Sequence, residues 1–269
     1  MRREGRYRPT IEDAIELSGI ETLHPGGAAL TRRTAEVAGL RPGLRVLDVS
    51  SGRGTQSLLY AEEYGVDVTG LDLADDMIAT ARQRAAGSPA SERVRFVQGD
   101  SQALPFDDGA FDVVINECAV GIPDDSQAVV NEMARVVRPG GSVVIHESTW
   151  ARPDTPEDRH ELAERYGTTP LEPAAWARML ERAGLTGIQQ ELEPWSRPEN
   201  FWKVRQERDV RGPGGVLTLG ERLQTVGRIA RAHGLRGVWT ALENERIFYR
   251  AVRAGMLGYG LFWARRPEA

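Results

Sequence analysis

Cysteine is almost absent from this chain of 269 residues, since Cys118 is the only one. A disulfide within the chain is therefore impossible, which fits a protein kept in the reducing cytosol. No stretch reaches the roughly 18 apolar residues of a membrane-spanning helix. The first residues, MRREGRYRPTIED, carry charge without the apolar centre of a secretory leader. These absences predict a cytoplasmic protein that does not cross a membrane.

Runs of lysine or arginine are also missing. Lys and Arg total 34 against 39 Asp and Glu, so the net charge is −5. A surface that follows phosphate groups would need clustered positive charge, and we therefore expect no nucleic-acid partner. The chain does contain 41% hydrophobic residues, enough for one large α/β domain or for one domain with an insert.

Short apolar strands alternate with helical patterns through the first half of the chain. Strands are predicted over 45–49, 66–73, 94–98, 111–117 and 142–147, and helices over 11–17, 28–40, 55–64, 74–86 and about 125–137. The RPGG of 138–141 predicts a tight turn before the fifth strand. This alternation predicts a parallel sheet with helices on both faces.

The alternation stops after residue 150. ARPDTPEDRH, 151–160, predicts a loop, followed by a helix over 176–183 and strands over 187–192 and 259–265. Two stretches before the last strand carry apolar residues at helical spacing: Leu223, Val226, Ile229, Leu242, Phe248 and Val252. We therefore expect an N-terminal helical cap (1–40), a core (41–194), a helical insert (195–257) and a final core strand (258–269). The insert could build a ligand pocket or an oligomer contact.

The stretch VLDVSSGRGTQS, 46–57, predicts a strand that ends in a ligand-binding loop. Gly52 and Gly54 allow the backbone to approach a ligand closely. The next strand ends in GLD, which places the carboxylate of Asp72 where it could accept hydrogen bonds from both ribose hydroxyls. The loop and the acid together predict an adenosine-containing ligand.

Two cofactors compete for this loop. A nicotinamide dinucleotide fingerprint requires GxGxxG, but Ser57 occupies the position of the third glycine. Asp48, at the end of the strand, would also repel a pyrophosphate. S-adenosylmethionine carries an ammonium group and no phosphate, and it therefore suits the loop better.

The chain resembles the class I S-adenosylmethionine-dependent methyltransferases. The resemblance rests on VLDVSSGRGTQS, VTGLDLADDMI, FVQGDSQALPF, FDVVINECAV and EMARVVRPGGSVVIHES, in that order, and on the final YGLFWARRP. LHPGG (23–27) and ECA (117–119) are similar to a bacterial small-molecule branch of the family. Some relatives there methylate arsenite with several cysteines, and the single cysteine here argues against that acceptor. The resemblance implies a doubly wound, Rossmann-like sheet of seven strands, with a helical lead-in and a helical insert before the last strand.

The resemblance implies which residues hold the methionine part of the cofactor. Asp48, Gly52 and Gly54 would form the loop around the ammonium side. Ser50 stands where the family usually has glycine, and we expect this small residue to be tolerated in a binding turn. Asn116 would offer its backbone carbonyl to the ammonium group.

The adenosine part would lie along the next two strand ends. Asp72 would bind the ribose hydroxyls and Leu73 would pack on the adenine face, while Met77 is equally well explained as a helix-core residue. Asp100 would reach the adenine amino group, and Ser101 would donate its backbone N–H. An ordinary turn acid is the alternative for Asp100, and a helix N-terminal acid is the alternative for Asp72.

For the residues of the transfer site, the sequence leaves alternative roles open. His24, Gly26 and Gly27 could form a lid over the methionine end, or simply a loop that links two helices. Glu117 could act as a base, could orient an acceptor, or could face solvent. His146 could act on the acceptor or be a core histidine.

The resemblance implies methyl transfer by in-line displacement to a small-molecule acceptor, leaving S-adenosylhomocysteine, with no metal. A base is needed only where the acceptor must lose a proton, and the acceptor atom (N, O, S or C) stays open. Two alternatives remain, a non-catalytic cofactor-binding scaffold and a methyltransferase acting on a macromolecule. A homodimer formed through the insert is a further expectation.

Overall fold

The computed structural model of the chain describes residues 10, 17, 27–152, 156–194 and 219–268. The helix predicted over 11–17 lies outside the described residues except for residue 17, which is helical, and His24 and Gly26 also lie outside them. The helices are α1 (Gly27–Ala38), α2 (Thr55–Tyr64), α3 (Asp75–Ala86), α4 (Ser126–Val136), α5 (Pro156–Tyr166), α6 (Pro173–Arg182) and α7 (Leu219–Arg253). The strands are β1 (Arg45–Val49), β2 (Asp67–Asp72), β3 (Val94–Gln98), β4 (Phe111–Glu117), β5 (Val137–Trp150), β6 (Thr186–Pro194) and β7 (Leu257–Arg265).

The strands form one sheet in the order β3-β2-β1-β4-β5-β7-β6. The first five strands run parallel, and β7 is antiparallel to both of its neighbours. This arrangement confirms the doubly wound, Rossmann-like sheet of seven strands, with α7 inserted before the last strand. The strand order reverses between β1 and β4, so a crevice opens at their carboxyl ends, where such folds bind ligands.

Helices cover both faces of the sheet, which explains why the strands are nearly continuous apolar runs. On one face, Val46, Ile115 and Val144 pack under α1, α2 and α3. The strand residues next to these three point to the other face of the sheet. They pack there under α4 and α6, and Trp176 is fully buried among them. A third cluster joins α5 and α7 to the ends of β5 and β7, with Phe248 at its centre.

The predicted elements differ most from the structure in two places. The fifth strand begins at Val137 rather than at 142, because RPGG forms an irregularity within the strand, where the register shifts and Gly140 takes a φ of 72°. The polar segment after residue 150 is not a loop throughout, since α5 begins at Pro156. A proline is compatible with the first helical turn, because its missing N–H has no partner there in any helix.

Residues 195–218 of the predicted insert lie outside the described residues, and the part from Leu219 onward forms α7, with a break at Gly234, where φ is 68° and ψ is −175°. Ile229, Phe248 and Val252 are buried as the apolar spacing predicts. The other three apolar residues of this spacing, Leu223, Val226 and Leu242, are exposed. No helix in the described part of the chain is long and apolar enough to cross a membrane.

Candidate active site

The loop between β1 and α2 has a left-handed backbone at three positions. Ser50, Gly52 and Gly54 have φ values of 60°, 52° and 75°. At Gly54, an added Cβ would lie 2.5 Å from the ring of Phe96 on β3. The second glycine is therefore required for packing, while Ser50 shows that a small side chain is accepted at the turn.

Asp48 is the central acid of this loop. It is only 2% exposed, and its Oδ2 accepts a hydrogen bond of 2.6 Å from the hydroxyl of Ser57, which is fully buried on α2. The residue at the third-glycine position of the dinucleotide fingerprint therefore anchors the acid. Sequence reasoning treated Ser57 only as a departure from that fingerprint.

Asp72 connects two loops at the end of β2. Its Oδ2 accepts a hydrogen bond from the backbone N–H of Gly52 at 2.8 Å, and its Oδ1 accepts one from Ala74 at 3.0 Å. Beside it, Leu73 is 68% exposed, and Met77, one turn into α3, is half-buried. The structure thus brings an oriented carboxylate and an exposed apolar side chain to the same strand end.

Asp100 and Ser101 follow β3. The backbone N–H of Gly99 donates to the carbonyl of Asp72 at 3.0 Å, which places this turn beside the end of β2. Asp100 is exposed, and its Oδ1 accepts a hydrogen bond from the N–H of Gln102 at 2.8 Å. Ser101 is buried. The carboxylate of Asp100 stabilises its own turn, as the simpler alternative expects.

Asn116 is fully buried at the end of β4. Its Nδ2 donates to the carbonyl of Val49 at 2.9 Å, and its Oδ1 accepts from the N–H of Ala119 at 3.0 Å. The next turn is tight, since Cys118 has a φ of 61° and its N–H donates to the carbonyl of His146 at 2.7 Å. The side chain of Asn116 therefore ties β1 to the loop after β4, a role that the sequence did not reveal.

Glu117 lies between two helices. Its Oε2 accepts a hydrogen bond of 3.1 Å from the hydroxyl of Thr31 on α1, and its Oε1 accepts one from the hydroxyl of Tyr60 on α2. The interpretation of Glu117 as a carboxylate that simply faces solvent was wrong. Gly27 lies near this group, because the same threonine hydroxyl is 3.4 Å from its carbonyl oxygen.

Tyr60 is fully buried. Burial, with further contributions from the charges of Glu117 and Asp48, raises the pKa of its hydroxyl well above the ordinary value. Tyr60 therefore remains a hydrogen-bond donor. The sequence places it three residues after Ser57, on the same face of α2, and this spacing is the one signal that could have linked it to the site.

His146 is fully buried on β5, next to Glu117 in the register of β4 and β5. Its Nδ1 lies 3.5 Å from the sulfur of Cys118, and its ring meets that of Tyr259 edge to face, 5.3 Å between centroids. Burial raises the pKa of Tyr259 to about 12, and Glu193 and Cys118 add to the shift. This environment agrees with the alternative of a packed core histidine.

Glu147, the next residue of β5, is buried and fixes the loop after β4. Its Oε1 accepts hydrogen bonds from the backbone N–H groups of Val120 and Gly121, at 2.6 and 3.3 Å. Two N–H donors satisfy a buried carboxylate, so Glu147 holds the loop in place.

Comparison with known proteins agrees with this geometry. The family described as "Methyltransferase domain" matches residues 46–141. The demethylmenaquinone methyltransferase of Beutenbergia cavernae is 42% identical over 125 residues, 45% of this chain and 48% of that protein. The arsenite methyltransferase of Halobacterium salinarum is 39% identical over 118 residues, 43% of this chain and 30% of that protein. The chain thus spans half or less of the length of these two curated relatives.

Solved structures share the fold over nearly the whole chain. The phosphoethanolamine N-methyltransferase 2 of Haemonchus contortus superposes with a TM-score of 0.73 at 19% identity, over 96% of this chain and 57% of that one. The [4+2]-cyclase SpnF gives a TM-score of 0.74 at 22% identity, over 99% of this chain and 100% of that one. These likenesses show the fold alone, because one fold supports several chemistries.

The matched segment includes β1, the glycine loop and Asp72, and it ends within β5. Residues 46–141 are therefore similar in sequence to the methyltransferase domain of known enzymes.

Proposed function

We propose that this protein transfers the methyl group of S-adenosylmethionine to a small-molecule acceptor and releases S-adenosylhomocysteine. The observation that carries the proposal is the bond from the Gly52 N–H to the Asp72 carboxylate, 2.8 Å long, at the carboxyl ends of β1 and β2. It fixes an acid beside a glycine-rich turn, the arrangement that suits the ribose of an adenosine ligand.

The methionine part of the cofactor would lie against the end of β1. Gly52 and Gly54 allow the backbone to come close to it, with Ser50 at the start of the turn. The buried carboxylate of Asp48 would attract the ammonium group, and Asn116 would offer its backbone carbonyl. The short bond between Asp48 and Ser57 supports this, because it holds the acid in one orientation.

The adenosine part would extend over the ends of β2 and β3. Asp72 would accept hydrogen bonds from the ribose hydroxyls. Its two backbone donors leave lone pairs available for this. Leu73 and Met77 would cover one face of the adenine, since burying an exposed apolar side chain is favourable. Asp100 and Ser101 would contact the edge of the base.

The chemical step would be in-line attack of the acceptor on the methyl group bound to sulfur. The acceptor forms the new bond to carbon while the carbon–sulfur bond breaks, and its electron pair stays on sulfur. Holding two reactants in line can supply as much as roughly 7–11 kcal/mol of the barrier reduction. We assign Glu117 to orientation within the site, and His146 to its wall on the acceptor side.

The acceptor would enter beside α1. A cavity of about 290 Å³ lies between α1 and the two antiparallel strands, lined by Leu30, Arg33, Glu193, Tyr259 and Leu261 among others. Two relatives are named for a quinone precursor and for arsenite. A solved structure of similar fold contains geranyl diphosphate. We therefore propose a small molecule rather than a nucleic acid and leave its reacting atom open.

We further propose that α7 forms a homodimer contact. Trp239 is 74% exposed and shares one face of α7 with Leu242, Arg246 and Arg250. Neither guanidinium group pairs with a carboxylate in the described part of the chain. Antiparallel pairing with a second α7 would bring these arginines close to Glu243 of the other copy. Light scattering should show a dimer that Trp239→Ser converts to a monomer, and a monomeric wild type would contradict the contact.

The proposed function is tested by calorimetric titration with S-adenosylhomocysteine and, separately, with NADH. We expect micromolar binding of the first and none of the second. An acceptor screen with methyl-deuterated S-adenosylmethionine and mass detection would then identify the product. Binding without transfer to any acceptor would favour the scaffold alternative, and failure to bind would remove the proposal.

A further inference from the structure

Three side chains from different parts of the chain meet at the carboxyl end of β4. Glu117 accepts hydrogen bonds from Thr31, 86 residues before it, and from Tyr60, 57 residues before it. Both donors are buried, with 1% and 0% of their surfaces exposed. Each carboxylate oxygen therefore receives a hydroxyl donor from a different helix.

The contact from Thr31 favours the carboxylate over the helix backbone. A threonine hydroxyl has one proton, and it lies 3.1 Å from Glu117 Oε2 but 3.4 Å from the carbonyl oxygen of Gly27. A hydrogen bond to an ionised acceptor is also about twice as strong as one between neutral groups. Helix α1 is thereby attached to the sheet at Thr31.

The contact from Tyr60 links the same carboxylate to the glycine loop. Tyr60 lies on the face of α2 that carries Ser57, and Ser57 donates to Asp48 at 2.6 Å. Because burial raises the pKa of the Tyr60 hydroxyl, this group keeps its proton and continues to donate. One side of α2 therefore contacts both Asp48 and Glu117.

We propose that Thr31 and Tyr60 are positioning residues which act through Glu117 to couple α1 to the methionine end of the cofactor site. This inference rests on the proposed function for the identity of the ligand. In this arrangement Glu117 is a connecting carboxylate, because each of its oxygens already accepts a hydrogen bond from a hydroxyl group. Cofactor binding at Asp48 then depends on α1 through Tyr60.

The test compares four variants of the full chain. Tyr60→Phe and Thr31→Val remove one hydroxyl each and keep the volume of the side chain. Two matched controls remove hydroxyls that do not reach Glu117. Tyr64→Phe loses the bond from Tyr64 to the carbonyl of Arg32, and Thr34→Val alters a buried threonine whose hydroxyl has no hydrogen-bond partner among the described residues.

The first readout is hydrogen exchange without ligand. We expect the amides of α1 and of the end of β4 to exchange at least tenfold faster in Tyr60→Phe and Thr31→Val than in either control. The second readout is calorimetric titration with S-adenosylhomocysteine. We expect the dissociation constant to rise about tenfold in the two test variants, the size of one lost hydrogen bond to a charged group.

A conservative variant separates positioning from simple packing. Thr31→Ser keeps the hydroxyl and loses a methyl group, so it should bind within about threefold of the wild type, whereas Thr31→Val should not. Equal exchange and equal affinity in test and control variants would overturn the coupling and leave the proposed function standing. A wild-type protein that does not bind S-adenosylhomocysteine would overturn the proposed function itself, whatever the exchange rates show.

Discussion

The hydroxyl of Ser57 donates a hydrogen bond of 2.6 Å to the carboxylate of Asp48, and both side chains are buried. A buried carboxylate is costly unless donors satisfy it, so this bond stabilises the carboxylate of Asp48 beneath the loop. A dinucleotide-binding loop would place glycine at 57, where the helix packs closely on the strand. In this chain the same position is Ser57, whose hydroxyl holds the carboxylate of Asp48.

Ser57→Ala should weaken S-adenosylhomocysteine binding about tenfold and lower the free energy of unfolding by about 1–3 kcal/mol, because Asp48 loses a buried donor. Calorimetry and urea denaturation measure the two effects. Ser88→Ala is the comparison variant, since the Ser88 hydroxyl donates to Glu62 at the same 2.6 Å at the exposed surface and also accepts a hydrogen bond from the N–H of Ala90. Similar losses in both variants would mean that burial of the bond is unimportant.

Asp72→Ala should reduce affinity for S-adenosylhomocysteine by at least a hundredfold. The substitution removes the proposed ribose acceptor and also leaves the Gly52 N–H without its carboxylate partner. Calorimetric titration measures the loss. Asp76→Ala removes an exposed acid in the first turn of the following helix and should bind almost as the wild type does. A variant at 72 with full affinity would place the ligand elsewhere.

Gly54→Ala should destabilise the protein by about 2–4 kcal/mol, since the new Cβ would meet the ring of Phe96 at 2.5 Å and the backbone has a φ of 75°. Gly39→Ala isolates the backbone effect, because φ there is 69° and nothing lies within 4 Å of the added Cβ. That control should cost about 1 kcal/mol.

Urea denaturation gives the free energies of unfolding of both glycine variants. Combining Gly54→Ala with Phe96→Leu should recover part of the loss, because the shorter side chain vacates the contact. If the double variant shows only the sum of the two single effects, the clash with Phe96 is not the cause.

Stability at acid pH should depend on Glu132. The guanidinium of Arg135 holds the pKa of this carboxyl below its ordinary 4.5. Burial opposes this effect, and the N–H of Leu104 adds to it. A lowered pKa means that the stabilisation is complete above about pH 4.5 and is lost as the pH falls through the folded-state value. Glu132→Gln should therefore cost about 1–2 kcal/mol at pH 7 and progressively less toward pH 3.

The control for this pH dependence is Glu63→Gln. Arg32 lowers the pKa of Glu63 as well, but both side chains are more than 40% exposed, so water screens the pair. We expect less than about 0.5 kcal/mol at any pH. Free energies of unfolding measured at several pH values decide the matter, and parallel curves for the two variants would exclude the assigned role of Glu132.

The sequence alone determined the strands of the core and the helix after the glycine loop. The predicted bounds of β1, β3, β4 and α2 agree with the structure residue for residue. Each of these elements is an apolar or amphipathic run that ends at a glycine, an acid or a polar turn, and such signals are local. The glycine loop and Asp72 could be predicted for the same reason, because both lie at the ends of predicted strands.

Only the tertiary structure decided which residues far apart in sequence come into contact. Helix α5 was missed because its polar first turn reads as a loop, while the partners that bury Leu162 and Tyr166 come from the end of β5 and from α7. The burial of the insert was equally undecided, because spacing marks one apolar face but does not say whether anything covers it.

The hydrogen bonds of Thr31 and Tyr60 to Glu117 could not be predicted from the sequence either. Local patterns identify Glu117 as a strand end, Tyr60 as a core residue and Thr31 as part of a helix. Only the folding of α1 and α2 onto one face of the sheet brings their hydroxyls to the same carboxylate. Hydrogen bonds depend on distance in space, and sequence periodicity fixes such distances only within a single helix or strand.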